Sequence, residues 1–261
     1  MDETMPHRIA VALFVLCSSL SGCGQDYSLA PSADSEQITV TVKVPKELIA
    51  RTMQVMYRST LCTFTDRSAS GIPYERDGYQ RTDIEPTRQG QSDLYEAKLP
   101  VNGGGSCQWR LSNVTFGVTY GNTSRFGENV SWGAGGGVVV IFDHNNSPRG
   151  GADIEVGGDL VIKKDYYPWL GESFMGSYRK DVSLLGEKQN YYLSYQALHA
   201  REVYFEPVLH SKFVVRSVGP QEKKKGNYAT FTYPDGSVEN VARATPRFQK
   251  LQAIRVAAES Q

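Results

Sequence analysis

Short segments in which apolar and polar residues alternate recur along this sequence. Residues 38–44 read Ile-Thr-Val-Thr-Val-Lys-Val, so that every second side chain is aliphatic. A period of two is typical of a β-strand that buries one face. The 25 glycines, 15 tyrosines and 10 phenylalanines also suit sheets and turns better than helical bundles. The sequence therefore predicts a mainly β protein, built as an antiparallel sheet or a sandwich.

Other segments refine this prediction. Residues 138–142 are continuously apolar, which is typical of a strand buried on both faces. Within residues 108–120 the alternation breaks, which indicates a β-bulge near Ser112 and Asn113. Residues 63–91 are polar and rich in turn formers, and we expect a long hairpin or loop there. Further strand candidates are residues 94–99, 154–156, 159–162, 191–198, 203–209, 212–217 and 228–233.

Two segments are predicted to be short helices. Pro45 ends the first strand and suits the first position of a helix that reads Pro-Lys-Glu-Leu-Ile-Ala-Arg-Thr-Met. Thr245 and Pro246 have the character of an N-cap and a first helical residue, and apolar residues follow them at a spacing of three. We therefore expect a C-terminal helix over residues 246–258.

The N-terminus has the pattern of a secretory signal. Residues 9–20 are mostly apolar, but a helix that spans a bilayer of ~30 Å needs ~20 apolar residues. With Arg8 before it, this run suits the apolar region of a signal peptide. Translation from Met5 rather than Met1 would remove two acidic residues that fit this pattern poorly, and both starts remain open.

The signal segment ends in Leu20-Ser21-Gly22-Cys23, which resembles the lipobox of bacterial lipoproteins. The resemblance implies that residues 1–22 are a signal peptide and that Cys23 carries diacylglycerol on its thiol. It also implies a fatty-acyl group such as palmitate on the new amine. Gly24 after the cysteine implies sorting to the outer membrane of a Gram-negative cell, facing the periplasm. The alternative is an ordinary signal peptide with a coincidental cysteine.

The composition of the chain after Cys23 predicts its domain organisation. Residues 23–36 are small and polar, which indicates an acylated, flexible tether. Residues 37–261 contain no clear linker, and we expect one β-rich periplasmic domain. Two subdomains that meet near residues 150–165 are the alternative.

Cysteine usage predicts one disulfide. Cys17 leaves with the signal peptide and Cys23 is the lipid-bearing residue, so that Cys62 and Cys107 remain. Two leftover thiols in an oxidising periplasm usually pair. A reactive or metal-binding pair is the alternative, but the sequence has no Cys-x-x-Cys motif to support it.

No motif in the sequence assigns a reaction. The zero net charge, from 28 basic and 28 acidic residues, argues against a nucleic-acid partner. Zinc-binding and serine-hydrolase motifs are absent, so we predict no enzymatic activity, no metal and no cofactor. Residues 143–146 offer oxygen ligands for Ca²⁺, although a turn rich in Asp and Asn is the simpler interpretation. The glycine clusters 103–105 and 133–137 indicate turns and close backbone contacts.

Aromatic residues are the candidate binding residues. Tyr166, Tyr167 and Trp169 lie in a segment that we interpret as a loop, and such residues often carry the binding energy of protein interfaces. They suit a buried core equally well. Residues 143–151 and residues 63–91 are the other candidate binding faces.

Beyond the lipobox, three strings resemble an uncharacterised group of enterobacterial-type lipoproteins. They are Met56-Tyr-Arg-Ser with Cys62, Gly103-Gly-Gly-Ser-Cys-Gln-Trp-Arg-Leu-Ser112 and Tyr233-Pro-Asp-Gly236. Proteins of this kind are similar to the periplasmic lipoproteins encoded beside type VI secretion effectors, which protect the producing cell from its own toxin. The resemblance implies an immunity protein whose partner is a secreted effector and which acts by occlusion.

Two further functions are kept as hypotheses. An envelope-structural or assembly lipoprotein would contact peptidoglycan or outer-membrane proteins. A divergent hydrolase would act through His144, His199 or His210, which are the histidines of the mature chain.

Overall fold

The alternating segments form strands whose inward side chains are buried. In the computed structural model, which describes residues 26–144, 152–188 and 192–260, strands make up 52% of the chain and helix 7%. The mainly β prediction and the C-terminal helix are confirmed. The predicted signal peptide with Cys17 and Cys23 lies outside the described residues, as do Asn145 and Asn146 of the candidate Ca²⁺ ligands.

The described ranges contain eighteen strands and one α-helix, together with a short 3-10 turn at Ser124–Phe126. In the first half these are β1 (Gln37–Lys43), β2 (Leu48–Ala50), β3 (Met53–Arg67), β4 (Pro73–Ile84), β5 (Thr87–Arg88), β6 (Leu94–Pro100), β7 (Asn102–Gly104), β8 (Trp109–Tyr120), β9 (Ser131–Trp132) and β10 (Gly136–Ile141). In the second half they are β11 (Ile154–Glu155), β12 (Leu160–Ser173), β13 (Arg179–Leu185), β14 (Leu193–Gln196), β15 (Glu202–Leu209), β16 (Val215–Val218), β17 (Ala229–Thr232), β18 (Val238–Val241) and α1 (Phe248–Glu259).

The strands form two sheets that pack face to face. The ten-stranded sheet has the order β18-β17-β16-β12-β15-β1-β6-β5, with β13 beside β12 and β9 beside β13. The eight-stranded sheet has the order β11-β14-β10-β8-β3-β4, and β2 and β7 also pair with β8. Phe116 of β8 meets Phe205 of β15 edge to face, with ring centroids 5.8 Å apart. The main core is the apolar layer between the two sheets.

Both sheets are mixed rather than purely antiparallel. β1 is antiparallel to β6 but parallel to β15, and β12 is parallel to both β15 and β16. β10 is parallel to β14. Parallel neighbours need a long connection, whereas antiparallel neighbours can be joined by a tight turn. The parallel pairs therefore join segments that are distant in sequence, which the local alternation of residues does not reveal.

A smaller core lies under the C-terminal helix. α1 packs its buried residues, Phe248 and Leu251, against β12, β16 and β17. The helix begins two residues later than predicted, and the backbone N–H of Arg247 donates to the Tyr233 hydroxyl at 3.1 Å. A side chain from another element thus satisfies one of the free donors at the helix start. No helix within the described residues is long and apolar enough to cross a membrane.

β8 carries the predicted bulge. Met56 of β3 lies opposite Asn113, and the next residue, Tyr57, lies opposite Leu111. Ser112 therefore has no partner in this ladder, and it is buried. The break in alternation marks the extra residue of a bulge, as the sequence predicts.

The predicted helix after Pro45 is wrong. The N–H of Leu48 donates to the carbonyl oxygen of Pro45 at 2.8 Å, which closes a single turn. The chain then forms β2, in which Leu48 lies opposite Tyr120 of β8. Pairing with a strand that is distant in sequence outweighs the local helical preference of these residues.

The interpretation of residues 166–169 as a loop is also wrong, because they lie in the middle of β12. On one side, β12 pairs with β15 as far as Tyr166 and with β16 from Trp169 onward. Pro168 falls between these two partners, so its missing N–H breaks no bond of either ladder. A proline is therefore compatible with a central strand at this position.

The start of the described chain is attached to the eight-stranded sheet. Trp109 Nε1 donates to the carbonyl oxygen of Tyr27 at 3.0 Å. The N–H of Ala30 donates to the carbonyl oxygen of Gly103 at 2.9 Å. Leu29 packs against the main core. These residues fall within the predicted tether, so from Tyr27 onward this segment makes specific contacts.

Candidate functional site

A cleft of about 890 Å³ is lined by residues from both sheets. Residues 49–52 beside β2 and residues 136–138 of β10 contribute to it from the eight-stranded sheet, and residues 133–135 join β9 to β10. Trp132 of β9, residues 164–166 of β12 and residues 183–188 at and after the end of β13 contribute from the ten-stranded sheet. Sites for small molecules in proteins usually have volumes of ~300–1,000 Å³, so the cleft has the size of a binding site.

The glycine cluster 133–137 lines this cleft. A Cβ atom on Gly136 would lie 2.4 Å from the ring of Tyr166, and one on Gly137 would lie 2.3 Å from the carbonyl oxygen of Phe116. Both distances are far below van der Waals contact. Close backbone packing, as the sequence predicts, explains why these positions are glycine.

Of the three predicted binding aromatics, Tyr166 and Trp169 line the cleft. Tyr166 is buried, and burial raises the pKa of its hydroxyl. Trp169 is half-buried, and its Nε1 donates to Ser217 Oγ at 2.7 Å. Tyr167 is fully buried in the smaller core. The participation of these residues in binding stays a prediction, for which Trp169 is the most accessible of the three.

Two further aromatic residues, Trp132 and Tyr192, line the cleft, and no sequence pattern indicates Trp132. Trp132 of β9 is 68% exposed, although most tryptophans of folded proteins are largely buried. Tyr192 accepts a hydrogen bond from the guanidinium of Arg51, which is half-buried beside β2. Burial lowers the pKa of Arg51. Arg51, Trp132 and Tyr192 come from three separate segments, and the packing of the two sheets brings them together.

Most charged groups of the cleft have partners of opposite charge. Lys164 Nζ lies 3.1 Å from Glu187 Oε2, and Lys188 forms an ion pair with Asp153. Arg51, by contrast, has no carboxylate oxygen within 4.0 Å in the part of the chain that the structure describes. Among the described residues, no carboxylate therefore neutralises the partly desolvated charge of Arg51.

A polar network joins one wall of the cleft to α1. Asp165 Oδ1 lies 2.7 Å from His210 Nε2, and Asp165 Oδ2 accepts from Gln252 Nε2 at 2.9 Å. Gln252 Oε1 in turn accepts from the Tyr167 hydroxyl at 2.6 Å. Desolvation acts to raise the pKa of Asp165, but the hydrogen bonds from His210 and Gln252 bring it below its usual value. The network connects β12, the segment after β15 and α1.

A second candidate surface is the hairpin of β3 and β4, which extends beyond its sheet. As far as Arg58, β3 pairs with both β4 and β8, whereas beyond this residue it pairs with β4 alone. We call residues 59–79 the arm. Leu61 and Ile72 of the arm are 60% and 64% exposed, and Tyr74 and Tyr79 are also exposed. The arm therefore presents apolar side chains on a two-stranded ribbon that has no other strand beside it.

The predicted disulfide fixes the base of the arm. Cys62 and Cys107 are bonded, which joins the arm to the turn before β8. Ser59 Oγ donates to the carbonyl oxygen of Cys107 at 2.5 Å and accepts from the N–H of Cys62 at 3.1 Å. A Cβ atom on Gly78 would lie 1.8 Å from the carbonyl oxygen of Cys62. The base is closely packed, and this packing holds the arm in place.

Contacts within the arm order its side chains. The rings of Phe64 and Tyr79 meet edge to face at 5.7 Å. The guanidinium of Arg76 lies 5.5 Å from the centre of the Phe64 ring, and its Nη1 is 2.8 Å from Asp66 Oδ2. These contacts restrict the side chains before any partner binds.

The structure places the remaining sequence candidates in loops and turns. His144 follows β10, His199 lies in the turn after β14, and His210 follows β15. Within residues 26–144, 152–188 and 192–260 there is no group of three or more His, Cys, Asp or Glu residues that could hold a metal ion. Among these residues, no serine, threonine or cysteine hydrogen-bonds to the ring of His210.

Comparisons with protein families, with curated proteins and with solved structures found no match to this chain. The functional proposals below are therefore argued from the geometry of the arm and of the cleft.

Proposed function

We propose that this protein is anchored by lipid in the outer membrane, faces the periplasm and neutralises a protein toxin by occlusion, as type VI secretion immunity lipoproteins do. The observation that carries this proposal is the arm. Its exposed apolar residues are held on a projecting ribbon, which is a shape that can enter the groove of another protein.

The side chains of the arm have the chemistry of a protein-binding surface. Leu61, Ile72, Tyr74 and Tyr79 all lie within one hairpin and are all exposed. They are spread along the arm, from Leu61 and Tyr79 near its base to Ile72 beside its turn, so a partner that receives the ribbon could contact each of them. Tyrosine is also among the residues that most often carry binding energy at interfaces. Burial of these side chains in a partner would remove apolar surface from water.

The rigidity of the arm favours tight binding. Association costs conformational entropy when loops and side chains become ordered at an interface. The disulfide at Cys62 and the contacts of Phe64 with Tyr79 and Arg76 restrict the arm beforehand. A partner therefore meets a preformed surface, and less of the interaction energy is lost on binding.

The predicted lipid anchor on Cys23 supports the same function. An anchored inhibitor has a high effective concentration at the membrane where an incoming lipase or wall hydrolase acts. With no enzymatic step of its own, such a protein needs only to cover the active site or the entry groove of the toxin.

A pull-down tests the proposal. The full chain, solubilised from membranes in mild detergent, is incubated with periplasmic extract and with the products of adjacent genes. We expect one tight partner with toxin activity, which is silenced on binding. The double variant Leu61→Asp with Ile72→Asp should weaken this binding by about 100-fold, because two apolar anchors become charged.

Val161→Asp is the matched control, because Val161 is an aliphatic residue of β12 that is 77% exposed but lies outside the arm. This variant should bind the partner as the wild type does. Recovery of peptidoglycan or of resident outer-membrane proteins, without a toxin, would favour the envelope-structural function and remove the proposal. Equal loss of binding in the control would show that the arm is not the contact surface.

A further inference from the structure

We propose that the cleft binds an acidic sugar, that is, a pyranose ring that carries one carboxylate, with Arg51 as the group that recognises the carboxylate. This site lies outside the arm, and its function is independent of the toxin-binding proposal.

The first observation is the state of Arg51. Its side chain is half-buried, lines the cleft and donates a hydrogen bond to the Tyr192 hydroxyl. No carboxylate of the described ranges lies within salt-bridge distance of it. A guanidinium offers five N–H donors in a plane that matches a carboxylate, and partial burial strengthens such a bond. An anionic ligand in the cleft would supply the partner that the protein does not.

The second observation is the aromatic lining. Trp132 is 68% exposed in the cleft, and Trp169 and Tyr192 line it as well. Flat aromatic faces pack against the C–H groups of a sugar ring and remove both from water. The indole of Trp132 has this role most directly, because nothing in the fold requires so large an apolar side chain at an exposed position.

The third observation is the set of acidic residues in the cleft. Asp83, Glu85, Asp165 and Glu187 all line it. Carboxylates accept hydrogen bonds from hydroxyl groups, which suits a polyhydroxylated ligand. Lys164 and Lys188 are already paired with carboxylates, so the cleft offers little further positive charge to a ligand with several negative charges, such as a nucleotide or an inositol phosphate. A ligand with one carboxylate and many hydroxyls therefore fits the charges better than a phosphate does.

The glycines of the cleft complete the site. Gly133, Gly135 and Gly136 line the cleft, and a Cβ atom on any of them would collide with neighbouring protein atoms, so backbone forms this part of the lining. Backbone N–H and C=O groups at a cleft surface provide further donors and acceptors for hydroxyl groups.

Two matched pairs of sugars test this inference by calorimetric titration of the full chain in detergent. N-acetylmuramic acid is compared with N-acetylglucosamine, which lacks the lactyl carboxylate, and glucuronic acid is compared with glucose. We expect saturable binding of at least one acid and binding of its neutral counterpart that is weaker by about tenfold or more. Preference for the first pair indicates a cell-wall glycan, and preference for the second indicates a uronic acid polymer.

Variants locate the site. Arg51→Met should abolish the preference for the acid, and Trp132→Ala should weaken binding of both members of a pair. Arg216→Met, at an exposed arginine of β16 outside the cleft, is the matched control and should bind as the wild type does. Because Trp132 is exposed, its variant should fold even where the Arg51 variant does not.

The inference is overturned if no sugar saturates the wild type, if the neutral sugars bind as tightly as the acids, or if folded Arg51→Met keeps the preference. The arm variant Leu61→Asp with Ile72→Asp should retain sugar binding. This result would show that sugar binding in the cleft does not depend on the arm. Failure of the sugar-binding inference can then be distinguished from failure of the toxin-binding proposal.

Discussion

Glu239 of β18 links the hairpin formed by β17 and β18 to the C-terminal helix. Its carboxylate accepts hydrogen bonds from Lys250 Nζ at 3.0 Å and from the guanidinium of Arg243. Desolvation acts to raise the pKa of Glu239, but these two cations lower it from 4.5 to about 2. Because the pKa is lower in the folded state than in the unfolded state, the ionised group stabilises the fold. This contribution is complete above about pH 4.5 and is lost as the pH falls towards 2.

We expect Glu239→Gln to lower the free energy of unfolding by about 1–2 kcal/mol at pH 7, because two partly buried cations lose a charged acceptor. The difference between wild type and variant should shrink as the pH falls from 4.5 to 2. Thermal unfolding followed by circular dichroism at several pH values measures it. Glu128→Gln, at an exposed glutamate, is the control, and its free energy of unfolding should equal that of the wild type at every pH. A pH-independent difference for Glu239→Gln would contradict the assignment.

At the scale of elements, the arm depends on its covalent link to β8. From residue 59 onward, β3 loses β8 as a neighbour and keeps only β4. An isolated two-stranded ribbon is marginally stable in water. The bond between Cys62 and Cys107 closes a loop of 45 positions and restricts the unfolded chain as well as the arm.

Replacement of both Cys62 and Cys107 by serine should lower the free energy of unfolding by roughly 4 kcal/mol in the chain-entropy model. We also expect faster tryptic cleavage within the arm, at Arg67 and Arg76, before the rest of the chain is cut. Urea unfolding and timed proteolysis measure the two effects. Unchanged cleavage of the arm would show that strand pairing alone keeps it ordered.

Elements with a strong local signal are predictable from this sequence. The alternation at residues 38–44 becomes β1, the break near Ser112 becomes a bulge, and the apolar run at 138–142 becomes the buried β10. Each depends on the period of the side chains, which the sequence contains. The pairing of Cys62 with Cys107 is predictable by counting, once Cys17 is assigned to the proposed signal peptide and Cys23 to the proposed lipid site.

Elements that depend on distant partners are not predictable in this way. β2 forms because β8 offers a strand to pair with, and Pro168 is accommodated because β12 changes partner beside it. The cleft depends most strongly on residues that are distant in sequence. Arg51, Trp132 and Tyr192 come from three separate segments, and no sequence pattern indicates Arg51 or Trp132.

For the whole molecule, the proposed attachment to the membrane would decide where the arm and the cleft act. Several acyl chains on one residue, at ~0.8 kcal/mol for each buried CH₂ group, would hold the protein at the membrane durably. Tyr27, whose carbonyl oxygen accepts a hydrogen bond from Trp109, follows Cys23 closely in sequence, so the proposed lipid would keep the domain near the membrane surface.

We expect Cys23→Ser to move the protein from the membrane fraction to the soluble periplasmic fraction and to abolish labelling with radioactive palmitate. Cys17→Ser is the matched control, because this residue belongs to the signal segment and should leave both unchanged. Fractionation followed by immunoblotting measures the change. A wild-type protein that is already soluble would show that the segment is an ordinary signal peptide.

The position of β1 also affects how the chain can be made. Thr39 of β1 pairs with Glu202 of β15, which is 163 positions later in the chain, so the first strand to be synthesised waits for one of the last. Until then an aliphatic strand has one open edge, which is a template for aggregation. The ten-stranded sheet therefore closes only after nearly the whole polypeptide has emerged. Chains truncated before residue 202 therefore leave this edge open, and such a delay would suit the export of an unfolded chain that the proposed signal peptide implies.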